Sequence, residues 1–332
     1  MMDTTVAALG RFNEMSGRLR VSVTHACQLR CKFCHQEGIS DHWQPIHMDP
    51  VVFGRVVDAF CALGGKEIDV TGGDPLVHPR IIEVLEHLAD RNIHRALCTN
   101  GLLLHRVRKP LEQGYIDEIK LSVHASSDSV GKELLGAAWS EKQMDAMLGL
   151  ARDVGVAVTI NFSVTSENVQ EFEMVLQKSL AMRTNLLVID LIGTRWDLQQ
   201  RGLRETSTNA IVSRIAALAE PAGVVHDRTG CRMTRFTSPT GNLWMVKDVR
   251  NGLLFTGMCN GCQLKQRCGE GVFVLRIDSR GTFRPCLIRP DLEVRHNIGS
   301  YGPETMRDAM AQSLTGMMAE PCRVEAGVSL YG

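Results

Sequence analysis

Three cysteines spaced Cys27-x3-Cys31-x2-Cys34, in VSVTHACQLRCKFCHQEG, can bring three thiolates from a single loop onto an iron–sulfur cluster. A cluster held by four cysteines mainly moves electrons, whereas one held by three leaves an iron free to chelate a small molecule. The same residues also allow a structural zinc site built from the three thiolates and His35. Spacing alone leaves both readings open.

A second set follows near the C-terminal end: Cys259-x2-Cys262-x5-Cys268, then Cys286 in GTFRPCL. Four thiolates from two loops would complete a cage, with a four-cysteine zinc ribbon as the alternative. Cys61, Cys98, Cys231 and Cys322 have no partners at ligand spacing and read as core or incidental thiols. Between the two sets lies Thr71-Gly72-Gly73-Asp74-Pro75. Two glycines at a strand end let a ligand approach the backbone, and an acidic side chain beside exposed carbonyls can hold a charged amino group.

The elements that must position these groups are readable. From about residue 19 to 192, strand-like apolar runs alternate with helical stretches, the pattern of a parallel α/β sheet. The expected strands are Leu19 to Val23, Glu67 to Thr71, His94 to Thr99, Ile116 to Val123, Val156 to Val164 and Leu186 to Leu191. Helices are expected from Asp49-Pro50, from near Pro79, from Ser140 and from Ser166, with a seventh element from about Ser207 to Ala219. Right-handed crossovers would curl six such units into an open barrel, with ligands at the C-terminal strand ends, where the first cysteine loop sits. After Pro221 the texture changes to short strands, glycines and closely placed cysteines. The expected division is a partial barrel over 1–220 and a smaller module over 221–332.

With 332 residues the chain can bury a large core. Lys plus Arg and Asp plus Glu both total 37, so global charge points to neither nucleic acid nor membrane, and any anion site must be local. No run of eighteen apolar residues and no signal peptide are present, so a cytoplasmic location is expected. Eleven cysteines in a reducing compartment suit metal ligands and buried thiols better than disulfides.

The first cysteine spacing, with the Gly-Gly-Asp-Pro stretch one βα unit later, resembles the radical S-adenosylmethionine (SAM) superfamily. That resemblance implies a partial (β/α)6 barrel, a [4Fe-4S] cluster on Cys27, Cys31 and Cys34, and SAM chelated at the open iron. It also implies SAM contacts from Phe33, Gly72, Gly73, Asp74, Pro75, Asn100 and Ser122, Asp74 being one methylene shorter than the usual glutamate. The Gly281 to Leu287 stretch is similar to the auxiliary-cluster modules of these enzymes, implying a second [4Fe-4S] cluster on Cys259, Cys262, Cys286 and, if it joins them, Cys268. Without Cys268 one auxiliary iron stays open for substrate; with it that iron is closed. An external one-electron donor such as flavodoxin or ferredoxin is the implied partner.

Along most of its length the chain resembles one family, the GTP 3′,8-cyclase of molybdenum-cofactor biosynthesis and its relatives. LGRFNEMSGRLRVSVTHACQLRC and VLRIDSRGTFRPCL carry the likeness. Arg20 and Arg276 match two of the family's basic substrate positions, and Thr99 is a further substrate candidate. Three other basic positions are replaced, by Asp69, Thr159 and Val274, and the family's double-glycine tail becomes Val328-Ser329-Leu330-Tyr331-Gly332. An arginine replaced by Asp69 exchanges a donor fork for an acceptor. The expected function is therefore radical hydrogen abstraction from a small nucleoside, sugar or nucleotide-type substrate in a biosynthetic pathway. The alternatives are GTP 3′,8-cyclisation, radical modification of a ribosomal peptide, and a zinc-binding interaction protein. The short stretch before the first strand argues against the leader-peptide domain of many peptide modifiers.

Overall fold

The computed structural model describes residues 2–35, 37, 45–191, 199–200, 202–203, 208–226, 230–272 and 274–325. The six expected strands form as β1 (Arg18–Ser22), β2 (Glu67–Thr71), β3 (His94–Thr99), β4 (Glu118–Ser122), β5 (Ala157–Ser163) and β6 (Asn185–Ile189). They pair in sequence order, all parallel.

Strands from the C-terminal third extend this sheet at both edges: β7 (Glu220–His226), β8 (Arg232–Thr237), β9 (Leu243–Lys247), β11 (Val274–Asp278), β12 (Thr282–Arg284) and β13 (Val294–Arg295), while β10 (Leu253–Phe255) and β14 (Arg323–Glu325) pair antiparallel with each other in a separate two-stranded sheet. β11 runs parallel to β1 and β9 parallel to β6, while antiparallel β12–β13 and β8–β7 finish the two edges. The result is one mixed α/β sheet, mainly parallel, curved as a partial barrel.

Parallel strands buried on both faces usually read as continuous apolar runs. Here they alternate. Leu19 and Val21 of β1, Ile119 and Leu121 of β4, and Ile160 and Phe162 of β5 are fully buried on the helix side. Their neighbours Arg18, Arg20, Lys120, Ser122, Thr159 and Asn161 line an internal cavity. With a side-chain period of two, each strand thus carries a core face and a polar lumen face.

Two helix starts form as the caps require. Asp49 accepts from the Val51 amide at 2.8 Å ahead of the Pro50–Ala62 helix, and Ser140 from the Gln143 amide at 3.3 Å ahead of Glu141–Asp153. The helix expected from Ser166 begins only at Phe172, because Asn168 is committed to the barrel rim. Its side-chain Nδ2 donates to the carbonyls of His124 and Ser163, both at 2.9 Å. The helix expected near Pro79 spans Ile81–Glu86, and the element expected from Ser207 spans Asn209–Ala216. Ser207 itself and the tail from Val328 to Gly332 lie outside the described residues.

Two helices arise where none was expected: Met2–Met15, and Pro303–Met317 inside the stretch read as short strands. The second buries Met306, Met310, Leu314 and Met317 along one face. Arg11 pairs with Glu320 at 2.8 Å, tying the first helix to the chain beyond the last one. No helix among the described residues is long and apolar enough to cross a membrane.

Candidate active site

The first cysteine loop follows β1 at its C-terminal end. The Arg30 and Lys32 amides donate to the carbonyls of Leu135 and Leu134, both at 2.9 Å, which clamps the backbone on either side of Cys31. The Cys34 amide donates to the Cys31 carbonyl at 3.1 Å, and Cys27 Sγ accepts from the Leu29 amide at 3.4 Å. All three cysteines border one cavity of about 680 Å³, together with Phe33 and His35. Burial pushes the Cys27 thiol up to about 12, so loading with a metal must release protons.

The cysteines' spread bears on which metal they suit. At Zn–S distances of about 2.3 Å, the ligands of one zinc lie within roughly 4.6 Å of one another. Among the described residues, the one group of three or more His, Cys, Asp or Glu that close together is Glu67, His94 and Glu118; neither cysteine set is. A multinuclear cluster holds its thiolates further apart than a single ion does. Three thiolates brought from one loop to the edge of one cavity suit an iron–sulfur cluster in their donor chemistry. His35 is turned to its own loop, with Nδ1 accepting from the Glu37 amide at 3.0 Å.

Gly72 and Gly73 form the wall facing this loop. The Gly73 amide donates to the Thr24 carbonyl at 2.9 Å and the Asp74 amide to the Ala26 carbonyl at 2.8 Å. A Cβ on Gly73 would stand 2.3 Å from the Ala26 oxygen, so no other residue fits there. Asp74 sits behind these glycines, buried, rather than in the open. One oxygen accepts from Thr99 Oγ1 and the Asn100 amide, both at 2.8 Å, and the other from the Leu76 amide at 2.9 Å. Its carboxylate welds the end of β2 to the end of β3, and Pro75 continues into the short turn it caps. Thr99, Asn100 and Ser122 all border the cavity, and Asn100 Nδ2 lies 3.8 Å from Cys27 Sγ.

Below this rim the lumen is a lattice of ion pairs. Arg20 meets Glu37 at 2.5 Å and Asp69 at 2.8 Å; Lys120 meets Glu67 at 2.6 Å and Asp69 at 2.7 Å. Arg276 meets Glu270 at 2.5 Å and Glu37 at 3.3 Å, Arg18 meets Glu67 at 2.8 Å, and Lys247 lies 3.6 Å from Glu270. Burial opposes the Glu37 charge, but Arg20, His35 and Arg276 hold its carboxyl down at about 2. Burial and Arg18 oppose the Lys120 charge, yet Asp69 and Glu67 keep its ammonium well above the usual lysine range. Because Lys120 and Arg18 already occupy Glu67, the Glu67–His94–Glu118 group belongs to this network.

Several cavity residues escaped the sequence reading: Lys120, Glu37, Glu67, Glu118, Asp190, Lys247, Glu270 and His124. For Glu67, Glu118 and Lys120 the signal was available, since each sits two positions from another polar strand residue. His124 packs edge-on against Phe33, with centroids 4.7 Å apart, and burial pushes its imidazole down to about 3. Burial, with repulsion from Asp248, pushes Asp190 up to about 7. Cys98, expected to be incidental, borders the cavity and lies 3.8 Å from Arg20 Nη1. Of the three replaced basic positions, Asp69 binds Arg20 and Lys120, Thr159 donates to Glu118, and Val274 is buried in β11.

The radical SAM superfamily model matches residues 21–178, which span the end of β1, the first cysteine loop, the Gly-Gly wall and β2 to β5. Residues 21–178 are a radical SAM domain. Radical SAM enzymes carry a [4Fe-4S] cluster and SAM, and Cys27, Cys31 and Cys34 fit that cluster as described. Two curated relatives share most of its length. The probable GTP 3′,8-cyclase of Sulfurisphaera tokodaii is 24% identical over 290 residues, covering 86% of each chain. That of Sulfolobus acidocaldarius is 26% identical over 314 residues, covering 91% of this chain and 93% of its own. Among solved structures, Streptococcus suis SuiB bound to the precursor peptide SuiA aligns with a TM-score of 0.63 at 15% identity, covering 92% of this chain and 67% of SuiB. That likeness concerns the fold.

Proposed function

We propose that this enzyme cleaves SAM reductively and abstracts hydrogen from a polar substrate of low net charge, a nucleoside, sugar or nucleotide-type molecule, in a cytoplasmic biosynthetic pathway. The cluster and SAM supply the 5′-deoxyadenosyl radical, with electrons from a flavodoxin- or ferredoxin-type donor. Phe33, Gly72, Gly73, Asn100 and Ser122 are the side chains and backbone proposed to receive SAM. Asp74 and Pro75 act by holding the glycine wall in place. Residues 221–332 form the proposed module for a second [4Fe-4S] cluster on Cys259, Cys262 and Cys286, with Cys268 as the candidate fourth ligand.

One observation carries the substrate reading: the cations of the cavity are already matched by carboxylates. Arg20, Lys120 and Arg276 each hold an acidic partner within 2.8 Å. A triphosphate entering here would have to break those pairs before making its own contacts. Hydroxyl and amide groups, by contrast, can share donors and acceptors already in place, with Arg20, Arg276 and Thr99 as substrate contacts.

The second reading is GTP 3′,8-cyclisation, favoured by the names of relatives that match nearly the whole chain. The two separate in one assay of the reconstituted protein with SAM and a reductant. Charge-assisted contacts are worth about 1.5–3 kcal/mol each. With three basic positions replaced, GTP affinity should fall on the order of a thousand-fold or more relative to a basic pocket. GTP is then expected neither to accelerate 5′-deoxyadenosine formation nor to be consumed, while adenosine, guanosine or an amino sugar accelerates it. Formation of a 3′,8-cyclised nucleotide from GTP would replace the first reading with the second.

A further inference from the structure

We infer that Cys268 is the fourth ligand of the C-terminal centre, which closes that centre to substrate. The inference rests on the reading above that this cysteine set holds a [4Fe-4S] cluster.

The backbone from Cys259 to Cys268 advances in repeated single turns. The Cys262 amide donates to the Cys259 carbonyl at 3.1 Å, the Lys265 amide to the Cys262 carbonyl at 3.2 Å, and the Cys268 amide to the Lys265 carbonyl at 3.2 Å. This winding turns three thiols toward a common space, and the chain leaving β12 brings Cys286 to its other side. All four cysteines border the same small cavity, walled by Phe255, Met258, Val272 and Leu292.

Two thiols of this module differ in the direction of their backbone hydrogen bonds. Cys231, fully buried nearby, donates its S–H to the carbonyls of Asp248 and Arg232, both at 3.3 Å, as a protonated thiol does. Cys268 is the reverse: its sulfur accepts from the Gly271 amide at 3.4 Å. Amide donors aimed at sulfur stabilise a thiolate, and hydrogen bonds to cluster sulfurs are one of the levers by which a protein tunes such a centre. Arg289 adds a guanidinium beside Cys262.

With four cysteines bound, each iron carries protein sulfur and none is left for a substrate atom. The substrate is then held by the side chains of the large cavity alone. The centre's remaining role is electron exchange. Glu270 lies two residues past Cys268 and pairs with Arg276 at the cavity wall, so the electron-exchanging centre adjoins the substrate without binding it.

The test uses the full-length Cys27→Ala/Cys31→Ala/Cys34→Ala chain, which isolates the C-terminal centre. Iron assay should give about four irons per chain, the stoichiometry of one such cluster; zinc in place of iron overturns the underlying reading and the inference with it. The probes are ¹³C-labelled cyanide and GTP, added to the dithionite-reduced protein and read by electron–nuclear double resonance. The expected result is no ¹³C coupling and no change in g values. Adding Cys268→Ala should shift the g values and create ¹³C coupling from cyanide on the exposed iron. Cyanide or GTP coupling while Cys268 is present overturns the inference, as does a Cys268→Ala spectrum identical to its parent. If the alanine variant fails to fold, Cys268→Ser takes its place: retained iron with shifted g values supports ligation, and unchanged g values reject it.

Discussion

A Cys31→Ala chain forms no detectable 5′-deoxyadenosine from SAM under reducing conditions, yet keeps about half of its iron, roughly four of eight atoms if both centres are occupied. The loop survives the substitution because its shape does not depend on the thiol. The flanking Arg30 and Lys32 amides stay bonded to Leu135 and Leu134, and the Cys31 carbonyl still receives the Cys34 amide. What is lost is one of three thiolates, and two cannot hold a cluster that keeps an iron open for SAM. Chromatographic quantitation of 5′-deoxyadenosine, beside iron analysis of the same sample, checks this directly. Undiminished nucleoside formation would remove Cys31 from the initiating centre.

Lys120→Met should be the most destabilising substitution in the barrel lumen. Lys120 is buried, with Glu67 at 2.6 Å, Asp69 at 2.7 Å and Glu118 at 4.0 Å. Breaking a buried ion pair by removing one partner costs about 3–5 kcal/mol. Arg18 and Arg20 remain to share Glu67 and Asp69, which sets the expected loss toward the lower end of that range. Urea denaturation of the pair Lys120→Met and Lys120→Met/Asp69→Asn is the measurement. The second change removes an acid left in excess, so the double variant should recover part of the loss. A double variant less stable than the single one would show that Asp69 stabilises the lumen mainly through Arg20 and is not left in excess.

The parts of this architecture visible in the sequence are those encoded locally. β2 and β3 have the expected ends because each is a short apolar run closed by a helix-breaking turn, and the Pro50 and Ser140 helices announce themselves through their caps. The cysteine spacing and the Gly-Gly wall were legible for the same reason. Pairing between distant segments leaves no such mark. Nothing in VLRID indicates that it lies beside β1, and nothing in the acidic residues of β2 and β4 indicates that they would neutralise the cavity's own cations. Asp74 was legible as a strand-end acid, but not as one whose oxygens are consumed by Thr99, Asn100 and Leu76. The Pro303–Met317 helix carried a readable apolar spacing that the surrounding glycines and short strands obscured.

The placement of β11 against β1 also sets a timetable. Arg18 pairs with Val274, so about 250 residues separate two neighbouring strands of one sheet. At ribosomal rates of about 5–20 residues per second, the first strand and its cysteine loop emerge some tens of seconds before their permanent neighbour exists. During that interval one edge of β1 is unpaired. Slowing translation late in the message should lengthen the time for which this edge lies open to pairing with other strands.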